Sequence, residues 1–79
     1  MINIEEFTRL LEMEFDDIEP NTLNPQTSYR NIPNFSSMYA LIIIAFIDNE
    51  FEVLLTGEDL RNAETIEDLY NLICHRKSN

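Results

Sequence analysis

The feature that most constrains the fold of this chain is an uninterrupted apolar segment near its middle. The ten residues from Met38 to Ile47 include no charged side chain. A membrane-spanning helix needs about 20 such residues, so we expect this segment to lie in a protein core and not to cross a membrane. Its isoleucines would also suit a buried strand. Because the segment continues to Glu50 and is then longer than a usual strand, we predict a helix from Met38 to Glu50.

Length and charge narrow the class of protein. The chain has 79 residues, which corresponds to a single small domain over residues 1–79. Its 15 acidic and 5 basic side chains give a net charge of −10, so nucleic acid and anionic lipid are poor partners and a basic protein surface is the expected one. The single cysteine, Cys74, allows no internal disulfide, and the N-terminal residues lack a signal-peptide pattern. We expect a cytoplasmic monomer.

An amphipathic pattern near the N-terminus predicts a first helix from about Asn3 to Phe15. Apolar residues recur there at helical spacing, at Ile4, Phe7, Leu10, Leu11 and Phe15. The polar face that this pattern predicts consists of Glu5, Glu6, Arg9 and Glu12.

The segment from Asp16 to Phe35 has no such periodicity. Prolines 20, 25 and 33 interrupt it, and proline does not fit inside a helix. We therefore predict one long loop. A loop of this length needs contacts with the core, and the apolar residues available for them are Ile18, Leu23, Tyr29 and Ile32.

Two further helices are predicted after the apolar segment. Thr56 precedes acidic residues and indicates a capped, very short helix that begins near Gly57. Thr65 and Asp68 have the spacing of a second capping box, and an apolar stripe follows from about Ile66 to Cys74. The predicted fold class is all-α: a small four-helix bundle with a long loop between helices 1 and 2 and a short third helix.

The residues do not predict an enzyme or a metal site. The only histidine, His75, lies beside Cys74 in a charged C-terminal segment, and no serine, histidine and acid have a spacing that suggests a catalytic group. One cysteine and one histidine cannot form a structural zinc site. We expect a protein that is not a catalyst.

Ser36 and Ser37 mark the point where the loop meets the apolar helix, and two interpretations of them are open. Serine at this position ordinarily caps free backbone N–H groups. Alternatively, Ser37 could carry a phosphodiester, because the N–H groups and partial positive charge of a helix N-terminus favour an anion. Another enzyme would have to install that group.

The region around these serines resembles the acyl carrier protein family. That family has a modified serine in an Asp-Ser-Leu motif, preceded by a phenylalanine in a long loop and followed by a helix that ends in Glu-Phe. The segment from Ser28 to Met38 matches without a gap, and the distance from Ser37 to Phe51 fits the family's second helix. The segment Thr65–Leu69 resembles the start of its last helix. The similarity extends over nearly the whole chain and implies a bundle of acyl carrier type.

The resemblance implies that Ser37 carries a 4′-phosphopantetheine arm, with Ser36 as an adjacent cap and Met38 beside it. A phosphopantetheinyl transferase would add the arm from coenzyme A with magnesium, and its thiol would hold an acyl group as a thioester. The partners would be acyl-loading and condensing enzymes, of ligase and ketosynthase type, in fatty acid, polyketide or related lipid biosynthesis. The expected acyl pocket consists of Leu41, Ala45, Phe46, Leu60 and Ile66.

The chain also departs from the family pattern. Ser36 replaces the aspartate before the modified serine, and Met38 replaces the leucine after it. The second helix begins with apolar residues where the family usually has several acids. An alternative function is therefore an unmodified, carrier-like helical module that docks on basic or apolar partner surfaces, with the two serines serving only as caps.

Overall fold

A computed structural model describes residues 2–32 and 35–77 of the chain, so Pro33 and Asn34 of the predicted loop lie outside the described residues. The four predicted helices are present in the predicted order. They are α1 (Ile4–Met13), α2 (Ser37–Phe51), α3 (Gly57–Asn62) and α4 (Ile66–Lys77), with a 3-10 turn at Tyr29–Asn31 inside the loop. Within the described ranges the only β-type pairing is an isolated bridge between Ser28 and Thr65. The prediction of an all-α four-helix protein is confirmed.

Helix α1 begins as its sequence predicts and ends slightly earlier. Asn3 is the N-cap, and its side chain accepts a hydrogen bond of 2.9 Å from the N–H of Glu6. The acids of the first turn complement the positive end of the helix. The helix stops at Met13. Phe15 remains buried beyond the last turn, and its N–H still bonds to the carbonyl of Glu12.

Helix α2 contains the whole apolar segment. Its buried side chains are Ile43, Phe46, Ile47 and Phe51. The helix ends at Phe51, and the C-cap residue Glu52 has a left-handed conformation (φ 57°) and donates its N–H to the carbonyl of Asp48 at 3.0 Å. This left-handed ending turns the chain toward α3, although glycine is the residue that usually occupies such a position.

The two predicted capping boxes are both formed. Asp59 donates its N–H to the hydroxyl of Thr56 at the start of α3, and Asp68 does the same to Thr65 at the start of α4. Helix α4 extends to Lys77, three residues past its predicted end at Cys74. Its last turn is stabilised by Lys77, whose Nζ donates to the carbonyl of Phe51 at 2.7 Å.

The core is formed by side chains from all four helices and from the loop. Phe7 lies at its centre, with ring centroids 6.1 Å from Phe46, 5.7 Å from Phe51 and 5.5 Å from Tyr70. These rings join α1, α2 and α4, and their tilted arrangement is the usual one for packed aromatic side chains. In the described part of the chain, no helix combines the length and the apolar character needed to cross a membrane.

The long loop packs against the helices. Leu23, Tyr29 and Ile32 are buried, as predicted, and Ile18 is half-buried. The loop also provides acceptors for the start of α4, because the carbonyls of Thr27 and Pro25 accept the N–H groups of its first two residues at 3.1 and 2.8 Å. The loop therefore satisfies backbone donors that the helix itself cannot pair.

Candidate functional site

The two candidate serines are exposed at the start of α2. Ser37 is the first residue of the helix, and Ser36 occupies the N-cap position, with its carbonyl accepting the N–H of Ala40 at 3.1 Å. The side chain of Ser36 makes no capping hydrogen bond, which corrects the expectation that this residue caps the helix through its hydroxyl. Its backbone is more extended (φ −154°) than that of the N-caps Asn3 and Thr56, whose side chains do cap.

A cavity of about 380 Å³ opens beside the two serines, between the start of α2 and helix α3. We call it the Ser37 cavity. Its polar lining consists of Arg30, Arg61, Ser36 and Ser37. Its apolar lining consists of Phe35, Ala40, Leu41, Ile44 and Leu60. The cavity therefore has an apolar side and two arginines close to the serine that is predicted to be modified.

The predicted acyl-pocket residues do not all lie together. Leu41 and Leu60 line the Ser37 cavity, whereas Ala45, Phe46 and Ile66 are not part of its lining. Phe46 and Ile66 are buried in the core, and Ala45 is exposed on α2.

Met38, which was expected to lie beside the modification site, is 66% exposed. Its backbone directly follows Ser37, but Met38 is absent from the cavity lining. The side chain of Met38 therefore points to solvent.

Aromatic contacts fix the start of α2. Phe35, which directly precedes the serines, lies 6.1 Å from Tyr29 and 6.4 Å from Tyr39 between ring centroids. Tyr39 also stacks on Phe15 at 4.8 Å and donates its hydroxyl to both carboxylate oxygens of Asp17 at 2.9 Å. This hydrogen bond raises the pKa of Tyr39. The rings connect the serines to the end of α1.

The 3-10 turn positions the opposite side of the cavity. Tyr29 is fully buried, and its hydroxyl lies within hydrogen-bond distance of the carbonyls of Leu60 and, at 2.7 Å, of Ala63. Burial raises the pKa of Tyr29 to about 12. Arg30 donates Nη2 to the same two carbonyls at 2.9 and 3.1 Å and also to that of Arg61. The turn thus provides donors for the unpaired carbonyls at the end of α3.

Helix α3 is also held at its beginning. Asp59 accepts the N–H of Thr56 at 2.9 Å and receives two hydrogen bonds of 2.8 Å from the guanidinium of Arg76 on α4. The bonds from Arg76 and Thr56 lower the pKa of Asp59 to about 2. A helix of only six residues has little stability of its own, so these contacts determine where its residues meet the Ser37 cavity.

Glu12 is a structurally important residue that the periodicity did not predict. Although it was assigned to the polar face of α1, it is only 3% exposed. Its Oε2 accepts the N–H of Leu23 at 2.7 Å, and its Oε1 accepts the N–H of Asn21 at 3.1 Å and Nη1 of Arg9 at 2.7 Å. Burial by itself would raise the pKa of Glu12, but these hydrogen bonds outweigh it and hold the pKa below its usual value. Glu12 therefore anchors the loop to α1.

No cluster of three or more His, Cys, Asp or Glu side chains among the described residues is arranged to hold a metal ion. Cys74 is half-buried on α4, and its side chain interacts with Tyr70. The search of family models, of curated proteins and of solved structures found no match for this chain.

Proposed function

We propose that this protein is an acyl carrier whose 4′-phosphopantetheine arm is attached at Ser37. The observation that carries the proposal is the position of this residue. Ser37 is exposed and is the first residue of the apolar helix α2, beside a cavity with an apolar side. The long loop before it and the short α3 after α2 have the order that the family resemblance implies.

Ser37 would accept the arm from coenzyme A in the active site of a phosphopantetheinyl transferase. Its hydroxyl oxygen would form the new bond to phosphorus as the bond to the nucleotide breaks, and the transferase would take the proton. The terminal thiol of the arm would carry an acyl group as a thioester between acyl-loading and condensing enzymes. The exposure of Ser37 supports this proposal, because a second protein must reach its hydroxyl.

An acyl chain on such an arm would first meet the apolar side of the Ser37 cavity, at Leu41 and Leu60. Deeper entry, toward Phe46 and Ile66, requires these packed side chains to move, because both are buried. A ligand that binds only the folded state raises the melting temperature. Acylated protein is therefore expected to melt higher than the unacylated arm-bearing form, by an increment that depends on chain length. Equal melting temperatures across chain lengths would contradict this pocket.

Intact mass spectrometry tests the attachment directly. The protein and its Ser36→Ala and Ser37→Ala variants are incubated with coenzyme A, magnesium and a broad-specificity phosphopantetheinyl transferase. We expect the mass of one phosphopantetheine to be gained by the unaltered protein and by Ser36→Ala, but not by Ser37→Ala. Ser36→Ala is a matched control, because it removes the neighbouring hydroxyl, which forms no capping hydrogen bond. No gain with several transferases would contradict the carrier function.

A second candidate is an unmodified interaction module. The observation in its favour is the outer surface of α2, where Met38 is 66% and Leu41 65% exposed. Leu54, just beyond the helix, is 71% exposed. A contiguous exposed apolar patch commonly marks a partner site, and Met38 and Leu41 lie one turn apart on α2. The excess of acids on the chain favours a partner with a basic surface around the contact. In this function binding to the partner would survive Ser37→Ala and be weakened by Leu41→Ser.

A further inference from the structure

Basic side chains are scarce in this protein, and most of them have assigned contacts. Arg9 pairs with Glu12 at 2.7 Å, and Arg76 pairs with Asp59 at 2.8 Å. Lys77 donates to a backbone carbonyl at the end of α2. The other two of the five basic residues are Arg30, which donates to backbone carbonyls at the end of α3, and Arg61. Within the ranges that the structure describes, neither lies within salt-bridge distance of a carboxylate.

These two arginines come together at one place. Both line the Ser37 cavity, although they are separated by 31 positions in the chain. Arg30 is held there by the hydrogen bonds of its Nη2 to the carbonyls at the end of α3. Arg61 folds back along α3, so that its Nη1 lies 3.7 Å from the position that a Cβ on Gly57 would occupy.

The convergence is electrostatically unusual in a chain with a net charge of −10. Both arginines are exposed, so solvent screens part of their mutual repulsion, but no described carboxylate lies within salt-bridge distance of either one. An anion in the cavity would relieve this repulsion. Guanidinium groups bind phosphate especially well, because their planar donors match its oxygens.

We propose that Arg30 and Arg61 form a phosphate-binding site in the Ser37 cavity. The assignment of its ligand rests on the proposed function: the phosphate would be the phosphodiester that links the arm to Ser37. Bound there, the phosphodiester is held against the cavity, and the remainder of the arm begins next to the apolar side formed by Leu41 and Leu60. The arginines act as positioning residues for the arm and take no part in its attachment.

Inorganic phosphate is the first probe, because it tests the site without the arm. Unmodified protein is titrated with phosphate at constant ionic strength, with chloride as the balancing anion, and amide NMR signals are followed. We expect saturable shifts of the amide signals of Ser36, Ser37 and Gly57, because these residues line the cavity. Chloride alone should not reproduce them. Shifts spread evenly over the basic residues of the surface, or no saturable shift, would overturn the site.

Arg61→Gln is the informative variant, because Arg30 also stabilises the end of α3 and its loss would disturb the fold. Asn62→Asp is the matched control. It changes the net charge by the same amount on the next residue of the same helix, and Asn62 is exposed and lines a different cavity. We expect Arg61→Gln to weaken phosphate binding at least about fivefold and Arg61→Lys to weaken it less, since a single ammonium lacks the planar fork. Equal effects of Arg61→Gln and Asn62→Asp would overturn the proposal.

The second experiment uses protein that has gained the arm and separates the two sources of phosphate. The phosphorus NMR signal of the attached arm is compared between unaltered protein and Arg61→Gln, with and without moderate salt. A signal that differs between them at low salt and converges at high salt is expected for a phosphodiester held by Arg61.

The two experiments fail in different ways. If the protein gains the arm but its phosphorus signal does not respond to Arg61→Gln, the arginine site is overturned for the arm and the carrier function stands. If inorganic phosphate binds at the cavity but Ser37 is never modified, the carrier function fails and the site belongs to a free phosphate group.

Discussion

The buried carboxylate of Glu12 leads to the sharpest stability prediction, tested by the substitution Glu12→Gln. Glutamine has nearly the same shape, but it offers one oxygen and one NH₂ group where Glu12 offers two accepting oxygens. The Oε2 of Glu12 accepts the N–H of Leu23, while its Oε1 accepts the N–H of Asn21 and the guanidinium of Arg9. In either orientation of the amide, at least one donor faces the NH₂ group of the new side chain.

The size of the effect follows from these contacts. Leaving one buried donor unpaired costs about 1–3 kcal/mol, and the remaining bonds lose the strength that the charge gave them. The Arg9 pair itself adds little, because the Arg9 side chain is 41% exposed. We expect Glu12→Gln to lower the free energy of unfolding by about 2–4 kcal/mol at neutral pH. For a domain of 79 residues, the total free energy of unfolding is roughly 4–12 kcal/mol. The loss expected from Glu12→Gln is therefore a large fraction of the stability.

Urea denaturation followed by far-ultraviolet circular dichroism measures this difference, and Glu14→Gln is the control, because it removes the same charge from an exposed residue one position past α1. The folded pKa of Glu12 lies below its unfolded value of 4.5. The stabilisation is therefore fully present above that value and is lost as the pH falls through the folded pKa. The difference in free energy of unfolding between the unaltered protein and Glu12→Gln should therefore shrink in acid. The anchoring role would be refuted if the free energies of unfolding of Glu12→Gln and Glu14→Gln differed by less than about 0.5 kcal/mol. It would also be refuted if the loss of stability in Glu12→Gln were independent of pH.

Three further predictions concern other contacts of the fold. Tyr29→Phe removes the buried hydroxyl that reaches the carbonyls at the end of α3 and should lower the free energy of unfolding in urea by about 1–2 kcal/mol; an unchanged midpoint would show that Arg30 suffices there. Glu52→Gly should raise stability by about 1 kcal/mol, because Glu52 has a left-handed conformation (φ 57°) that glycine adopts without strain. Glu50→Gly, inside the helix, should lower it by a similar amount, and a loss in both variants would contradict the explanation. Magnesium or moderate salt should raise the melting temperature, because the chain has a net charge of −10 and ions screen the repulsion among its carboxylates; no change would mean that the carboxylates are already dispersed or paired.

The sequence was sufficient for features that depend on neighbours along the chain. Capping boxes form between residues three positions apart, and both were predicted from Thr56 and Thr65 with their following acids. Helical periodicity is equally local, so the existence and order of the four helices could be predicted. The error at the end of α4 has a tertiary cause. Its last turn is stabilised by the contact of Lys77 with Phe51, 26 positions earlier.

Glu12 shows where periodicity fails. Its position on α1 is polar by pattern, but two of its hydrogen-bond donors come from backbone groups 9 and 11 positions along the chain. Nothing in the local sequence indicates that the loop returns to this point. The same holds for the Ser37 cavity, because Arg30 reaches it from the loop and Arg61 from α3.

Helix α2 shows most clearly which features are determined by the sequence and which by the tertiary structure. Its length and apolar character determined that it would be a helix of the core and too short to cross a bilayer. Because the side chains of α2 are apolar around most of the helix, its sequence does not indicate which side faces the core. The packing of α1, α3 and α4 decided that Ile43 and Ile47 are buried while Leu41 and Ala45 are exposed. That choice is made by contacts between helices, and it determines which residues meet the cavity beside Ser37.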